Sequence, residues 1–409
     1  MSKQKKPKKQ SKFWYGITKI PAWFVAKTTF KRKFIRNEIK GKKGPFVVIA
    51  NHQAALDFVN LIGASRQMMT FVVSDSFYNT LSVKGIMDKI GVIPKQHFQT
   101  TLEDVRKMKS AIEQGKILVL YPAGLMCEDG LSTPIPKATY AFLKRLKADV
   151  YVARTSGTYF VTPKWSSFKR PGRTYLDIYK LFSSQEISEL EVDEIKKRTD
   201  EAILFDAYRD QEKLLIKYKK AENIEGIENV LYMCPHCGAE FSVGVKEKST
   251  IYCSECGFEQ QSDKYGFLHK KSSVGEEIRY ASDWSKHIYS KVKQDIKAQI
   301  IDTLSAEAEI QMINYGKRAF ESVGRGEITL NSGSFRIVGA IRGEDVDISI
   351  PIANFASLPF KPGKYLEIQH GKDIYRCMLD DGKLVMKFIN MVKAYYELSD
   401  EMHNSLAAK

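Results

Sequence analysis

Five short apolar runs, Pro45–Ala50, Phe71–Ser74, Lys116–Tyr121, Val150–Arg154 and Thr174–Tyr179, punctuate the first half of the chain. Runs of this length and composition read as strands buried on both faces. The stretches between them are helical in pattern, most clearly TTLEDVRKMKSAIEQG (100–115). Its threonine is followed three residues later by an acid, and Gly115 marks a stop. Buried strands alternating with helices predict an α/β domain, a central and mostly parallel sheet with helices on its faces. A charged helical tail over 192–222 closes it.

Beyond that tail the pattern changes. Residues 228–270 are hairpin-like and cysteine-bearing, and 276–322 read as amphipathic, charged helices. From Glu327 onward a β pattern appears in EITL, SFRIVGAI, VDISIPI, KYLEIQH and DIYRCML. Asn-Ser-Gly, Arg-Gly-Glu-Asp and Asp-Asp-Gly turns separate these runs. An amphipathic helix over 382–406 ends the chain, so this part is expected to be a small α+β module. By pattern it resembles a bacterial pleckstrin-homology-like domain, which implies a ligand among lipid headgroups, partner proteins or the α/β domain.

Four of the six cysteines form two Cys-x-x-Cys pairs, Cys234 with Cys237 and Cys253 with Cys256, each followed by a glycine. Fifteen residues lie between the pairs. This spacing fits one tetrahedral zinc ion on four thiolates and is similar to a zinc ribbon. Four thiolates leave no position for water, so the zinc is expected to be structural, in a reducing cytoplasm. His236, inside the first knuckle, is expected to be exposed rather than a ligand. Cys127 and Cys377 stand alone, and Cys127 reads as an ordinary small residue rather than a reactive thiol.

The net charge of +16 is concentrated. Residues 1–43 hold fifteen lysines and arginines against the one acid Glu38, so fourteen of the sixteen charges sit there. Nucleic-acid binders more often spread their charge over a face, and 228–270 is nearly balanced, so nucleic acid is not the expected partner. The first twelve residues read as disordered. FWYGITKIPAWFVAKTTF (13–30) reads as an interfacial segment, with Trp14, Tyr15 and Trp23 at headgroup depth and lysines facing anionic lipid. The alternative is an ordinary helix packed on the domain. No apolar run is long enough for a confident membrane span.

The stretch IANHQAALDF (49–58) follows the first strand. Polar residues at the carboxyl end of a strand in an open α/β sheet stand where ligands bind. If a helix begins near Asn51, His52 and Asp57 lie about 140° apart around it. An irregular first turn would still let the carboxylate reach one ring nitrogen, fix the tautomer and leave the other nitrogen as a base. The plain alternative makes Asn51 a helix cap and His52 a surface residue. Further along, GVIPKQ (91–96) places Lys95 at a strand end, and Tyr121-Pro122-Ala123-Gly124 follows another strand.

The order N-H-x-x-x-x-D, G-V-I-P-K and L-Y-P-A-G resembles the glycerolipid acyltransferase family typified by 1-acylglycerol-3-phosphate acyltransferase, over about residues 14–220. The resemblance implies His52 as general base oriented by Asp57. It also implies an acceptor and phosphate site drawing on Asn51, Lys95, Tyr121, Ala123 and Gly124. Lys95 stands where arginine is usual, Ala123 where glutamate is, and Val152-Ala153 replaces the usual Val-Pro. Glu128 or Asp129 is a candidate substitute for the missing acid. The implied activity is transfer of an acyl chain from acyl-CoA or acyl-carrier protein to a lysophospholipid, with backbone N–H groups near Gly124 as oxyanion donors. The implied location is the inner face of the cell membrane, with anionic lipids as partners. An inactive scaffold and a nucleic-acid-binding ribbon protein are the alternatives. The expected divisions are a tail and interfacial segment (1–30), an acyltransferase domain (31–222), a zinc ribbon (223–272), a helical linker (273–325) and the pleckstrin-homology-like module (326–409).

Overall fold

The structure, a computed structural model, describes residues 10–80, 84–95, 101–352 and 355–407. They form two compact units, one over 1–164 and 168–220, the other over 165–167 and 221–409. The first nine residues of the basic tail lie outside the described residues.

The first unit is built on one sheet. Its strands are β1 (Lys33–Asn37), β2 (Phe46–Ala50), β3 (Met69–Ser74), β4 (Ile93–Lys95), β5 (Ile117–Leu120), β6 (Val150–Ser156) and β7 (Tyr175–Phe182). Their order is β1-β7-β6-β2-β5-β3-β4, and β6/β7 is the one antiparallel pair in it. Five strands, β2 to β6, therefore point the same way, and their carboxyl ends open on one edge.

Side chains alternate across this sheet as the two-residue period of a strand requires. Val47, Ile49, Leu118, Leu120, Val150 and Val152 pack under the helices Leu102–Glu113, Ala138–Leu146 and Val192–Ile203. Phe46, Val48, Ala50, Ile117, Val119 and Tyr151 face the other way, toward Ala22 and Ala26 of the first helix, Lys12–Thr28. Burial on both faces is why these strands read as unbroken apolar runs.

Two local expectations change and one holds. The 192–222 segment is two helices, Val192–Ile203 and Ala207–Leu214, because Asp206 caps the second by accepting from the N–H groups of Tyr208 and Arg209. Leu102–Glu113 has the capping box that its sequence predicts, built from Thr101 and Asp104. Tyr15 is not at headgroup depth: it is buried, and its hydroxyl accepts the Met69 N–H at 3.1 Å.

The second unit holds two sheets. Strands β8 (Val243–Lys246), β9 (Thr250–Cys253), β10 (Glu259–Ser262) and β11 (Leu268–Lys270) form an antiparallel sheet in the order β11-β10-β9-β8. The helix Ala281–Lys297 follows. The larger antiparallel sheet contains β12 (Leu304–Asn314), β13 (Ala319–Leu330), β14 (Ser334–Ile341), β15 (Glu344–Pro351), β16 (Phe360–Lys361), β17 (Tyr365–His370) and β18 (Asp373–Leu379). Its order is β15-β14-β13-β12-β18-β17-β16, so the first strand pairs with the last, and the helix Leu384–Ala407 completes the chain.

The expectation of helices throughout 276–322 fails at β12. The run LSAEAEIQMIN is rich in helix-forming Ala and Glu, yet it buries Ala308, Ile310 and Met312 at every second position, between β13 and β18. Pairing on both sides outweighs intrinsic propensity there.

Candidate active site and metal centre

His52 and Asp57 meet at the edge where β2 ends. The helix starts at Asp57, not near Asn51, and residues 51–56 form an irregular loop. That loop removes the angular mismatch an early helix would impose. His52 Nδ1 lies 3.0 Å from Asp57 Oδ2. The same oxygen accepts the backbone N–H of Gln53 at 2.6 Å and of Ala54 at 2.8 Å. Asp57 is 1% exposed, whereas a fifth of the His52 side chain reaches solvent. Donation of the Nδ1 proton to the carboxylate leaves Nε2 as the basic nitrogen.

Asn51 does not cap a helix. It is buried, its Nδ2 donates to the Thr155 carbonyl at 2.8 Å, and its Oδ1 accepts from Thr155 N–H and Oγ1–H. Its amide ties the end of β2 to β6 rather than facing a substrate. Gln53, which sequence reasoning missed, works beside it. Its Nε2 donates to the Thr155 carbonyl, and its Oε1 accepts from Thr158 Oγ1 and Tyr159 N–H. No short motif signals this clamp, since its partners lie about a hundred residues away in sequence.

The Tyr121 ring packs tilted against His52, with ring centroids 4.6 Å apart and planes at 37°. Its hydroxyl is buried without a hydrogen-bond partner among the described residues, as is Asp57 Oδ1. Burial, with the Asp57 charge added, pushes the Tyr121 phenol well above its ordinary pKa. Ala123 and Gly124 continue the turn, and Gly124 needs its φ of +71°. The Gly124 N–H donates to the Tyr121 carbonyl at 2.9 Å. That hydrogen bond engages the Gly124 N–H itself within the turn.

The next residues fold back on the histidine loop, with Cys127 N–H donating to the His52 carbonyl and Cys127 Sγ–H to the Gln53 carbonyl. Cys127 is 1% exposed, and burial pushes its thiol up, so it is a packing residue rather than a reactive one. Glu128 and Asp129 are also buried, and Asp129 Oδ1 accepts the Leu131 N–H. Lys95 ends β4 on the same sheet edge as His52. Three strand spacings separate β4 from β2, roughly 14 Å. Burial pulls the Lys95 ammonium below the ordinary lysine value, and Asp104 partly opposes this.

In the second unit the four paired cysteines converge. Cys234 Sγ lies 3.7 Å from Cys256 Sγ, and Cys237 Sγ lies 3.8 Å from Cys253 Sγ; all four sulfurs are within 4.8 Å of one another. A tetrahedral ion with bonds of about 2.3 Å to sulfur sets its ligands about 3.8 Å apart. The donor set therefore fits a metal ion. Each knuckle closes through a glycine at positive φ, with Gly238 N–H donating to the Cys234 carbonyl and Gly257 N–H to the Cys253 carbonyl. His236 is exposed and outside the cluster. Trp284 anchors the module to the helix Ala281–Lys297: it is fully buried, donates from Nε1 to the Met233 carbonyl at 2.8 Å and packs edge-on to Phe258.

Residues 27–169 match the family model described as Acyltransferase. Among solved structures, the chain is similar to the 1-acyl-sn-glycerophosphate (LPA) acyltransferase PlsC from Thermotoga maritima. The identity is 18% and the TM-score 0.40, over 50% of this chain and 79% of that one. It is also similar to the Ran-binding domain of Nup2 from Ashbya gossypii, at 12% identity and a TM-score of 0.19, over 24% of this chain and 97% of that one. No curated protein matches. The stretch that carries His52, Asp57 and the Tyr121–Gly124 turn thus lies within the residues that the Acyltransferase family model matches.

Proposed function

We propose that this chain is a peripheral membrane O-acyltransferase that moves an acyl group from acyl-CoA or acyl-carrier protein to the hydroxyl of a lysophospholipid such as 1-acylglycerol-3-phosphate. The carrying observation is the His52–Asp57 contact inside the region matching the acyltransferase model. The acceptor hydroxyl gives its proton to His52 Nε2 as its oxygen attacks the thioester carbonyl. The C–S bond then breaks, and the thiolate leaves with a proton. Asp57 holds the ring and stabilises the imidazolium. A positioned base of this kind contributes about 10²–10⁴-fold. Lys95, on the same edge, is suited to the acceptor phosphate.

Docking falls to the first helix. Its Ala22 and Ala26 face packs on the sheet, while Phe13, Ile20, Trp23 and Phe24 are each more than half exposed. Lys27 lies over the Trp23 ring. No helix among the described residues is long and apolar enough to cross a membrane. An interfacial role on the inner face of the cell membrane, beside anionic lipid, accounts for this pattern.

The four-cysteine module is proposed to hold structural Zn²⁺, because its donors are all sulfur and its spacing is tetrahedral. The C-terminal module is proposed to be pleckstrin-homology-like, on the strength of its strand order and closing helix.

The test is acceptor-dependent release of free thiol from an acyl thioester across a panel of lysolipids, comparing the native chain with His52→Ala. Release that needs an acceptor and disappears in the variant supports the assignment. Release that survives the substitution refutes it, and no release with any acceptor favours an inactive scaffold.

A further inference from the structure

A cavity of about 300 Å³ lies beside the first helix, lined by Lys19, Ile20, Trp23, Arg32, Ile62 and Gly63. Its lining divides into an apolar part (Ile20, Trp23, Ile62) and two cations. Neither cation has a carboxylate partner among the described residues. Lys19 Nζ sits 5.1 Å from the Tyr15 ring centroid. Arg32 Nη1 donates to the carbonyls of Asn60 and Ile62, and its guanidinium lies 4.7 Å from the Phe34 ring centroid.

Other cations of this unit do find acids: Arg36 with Asp177, Arg154 with Asp210, Lys180 with Asp149 and Arg198 with Glu186. Arg32, like Lys19 and Lys116, is half-buried with no acid partner among the described residues, and burial pulls its pKa below the ordinary arginine value. A guanidinium has five N–H donors, and the hydrogen bonds of Arg32 among the described residues use only Nη1, so Nε and Nη2 remain for an anion.

We propose that this cavity binds the phosphodiester headgroup of an anionic phospholipid taken from the bilayer, as a docking lipid and not as the acyl acceptor. The inference rests on the membrane reading above and goes beyond it by naming one stoichiometric site. The charge pattern asks for a singly or doubly charged, acceptor-only group. The exposed Ile20, Trp23 and Phe24 give the attached glycerol and acyl chains an apolar path outward. Arg32 reaches the end of the short helix that Asp57 begins, since it holds the Asn60 and Ile62 carbonyls. Occupancy of the site would therefore brace the segment bearing the candidate dyad.

The test follows the fluorescence of Trp23, isolated by difference against Trp23→Phe, in the full chain. The probes are dihexanoyl phosphatidylglycerol below its micelle threshold, dihexanoyl phosphatidylcholine and inorganic phosphate. Sedimentation with phosphatidylcholine vesicles, with and without phosphatidylglycerol, runs in parallel. A saturable change is expected with phosphatidylglycerol monomers alone. Arg32→Gln and Lys19→Gln should each weaken it roughly tenfold. Lys12→Gln, exposed and outside the cavity lining, should leave monomer binding unchanged and weaken vesicle binding by about fivefold at most. Lys19→Gln keeps the test valid if Arg32→Gln unfolds.

No saturable change with phosphatidylglycerol monomers, or equal losses from Lys19→Gln and Lys12→Gln, overturns the headgroup site while vesicle sedimentation still decides the membrane reading. An equal response to inorganic phosphate overturns the lipid assignment. Saturable monomer binding without vesicle sedimentation keeps the site and overturns the docking role.

Discussion

Replacing Asp57 by Asn separates the two jobs that converge on one oxygen. Asp57 Oδ2 accepts from His52 Nδ1 and from the Gln53 and Ala54 N–H groups at 3.0, 2.6 and 2.8 Å. A hydrogen bond to a charged acceptor exceeds a neutral one by about 1 kcal/mol. The two backbone contacts alone therefore put the loss of stability at roughly 2 kcal/mol, before any relief from removing a buried charge. For a unit of this size that is a fall of roughly 4–8 °C in Tm. Typical domains have about 5–15 kcal/mol in hand, so nearly all the variant stays folded at 25 °C, and unfolding cannot account for even a tenfold loss of rate. Loss of the oriented tautomer is expected to cost about 10²–10⁴-fold in thiol release. Calorimetry and thiol release on the same preparation supply both numbers. A variant that melts lower yet stays within about threefold of native activity would refute the catalytic assignment and leave Asp57 as a brace for its loop.

The four-cysteine module is expected to carry one zinc per chain, measured by metal analysis, and Cys253→Ser should release it and lower the melting temperature of the second unit; a full complement of zinc in the variant would contradict the site. Lys95 has a folded pKa below its unfolded value, so the unfolded chain binds more protons in the window between the two, and stability there rises with pH. Over the same window the folded ammonium loses its charge. The KM for a phosphate-bearing acceptor should therefore rise as pH climbs, starting below the ordinary lysine range, and Lys95→Met should abolish that dependence; an unchanged profile in the variant would remove Lys95 from the phosphate site.

Much of the first sheet was legible because its central strands are buried on both faces, which leaves an unmistakable apolar signature in β2, β3, β5 and β6. The edge strand β1 escaped notice for the opposite reason. KFIRN is largely exposed and continues the basic character of the preceding segment. β12 was misread because alanine and glutamate favour helices locally, and only its partners on either side show the two-residue period. In the site, the His52–Asp57 spacing suggested a contact, but the loop permitting it depends on Asn51 and Gln53 reaching Thr155, a long-range arrangement that no local pattern encodes. One turn hydrogen bond engages the Gly124 N–H, a contact again invisible in the residue string.

The division of labour between His52 and Asp57 bears on how such a chain can drift. The acid closes the backbone around itself, so a descendant relieved of chemistry would still be held to keep it. Among the described residues the ring makes one side-chain polar contact and one tilted ring contact, and losing it would disturb the scaffold little. Of the two, it is the imidazole whose persistence among descendants would report a demand for turnover.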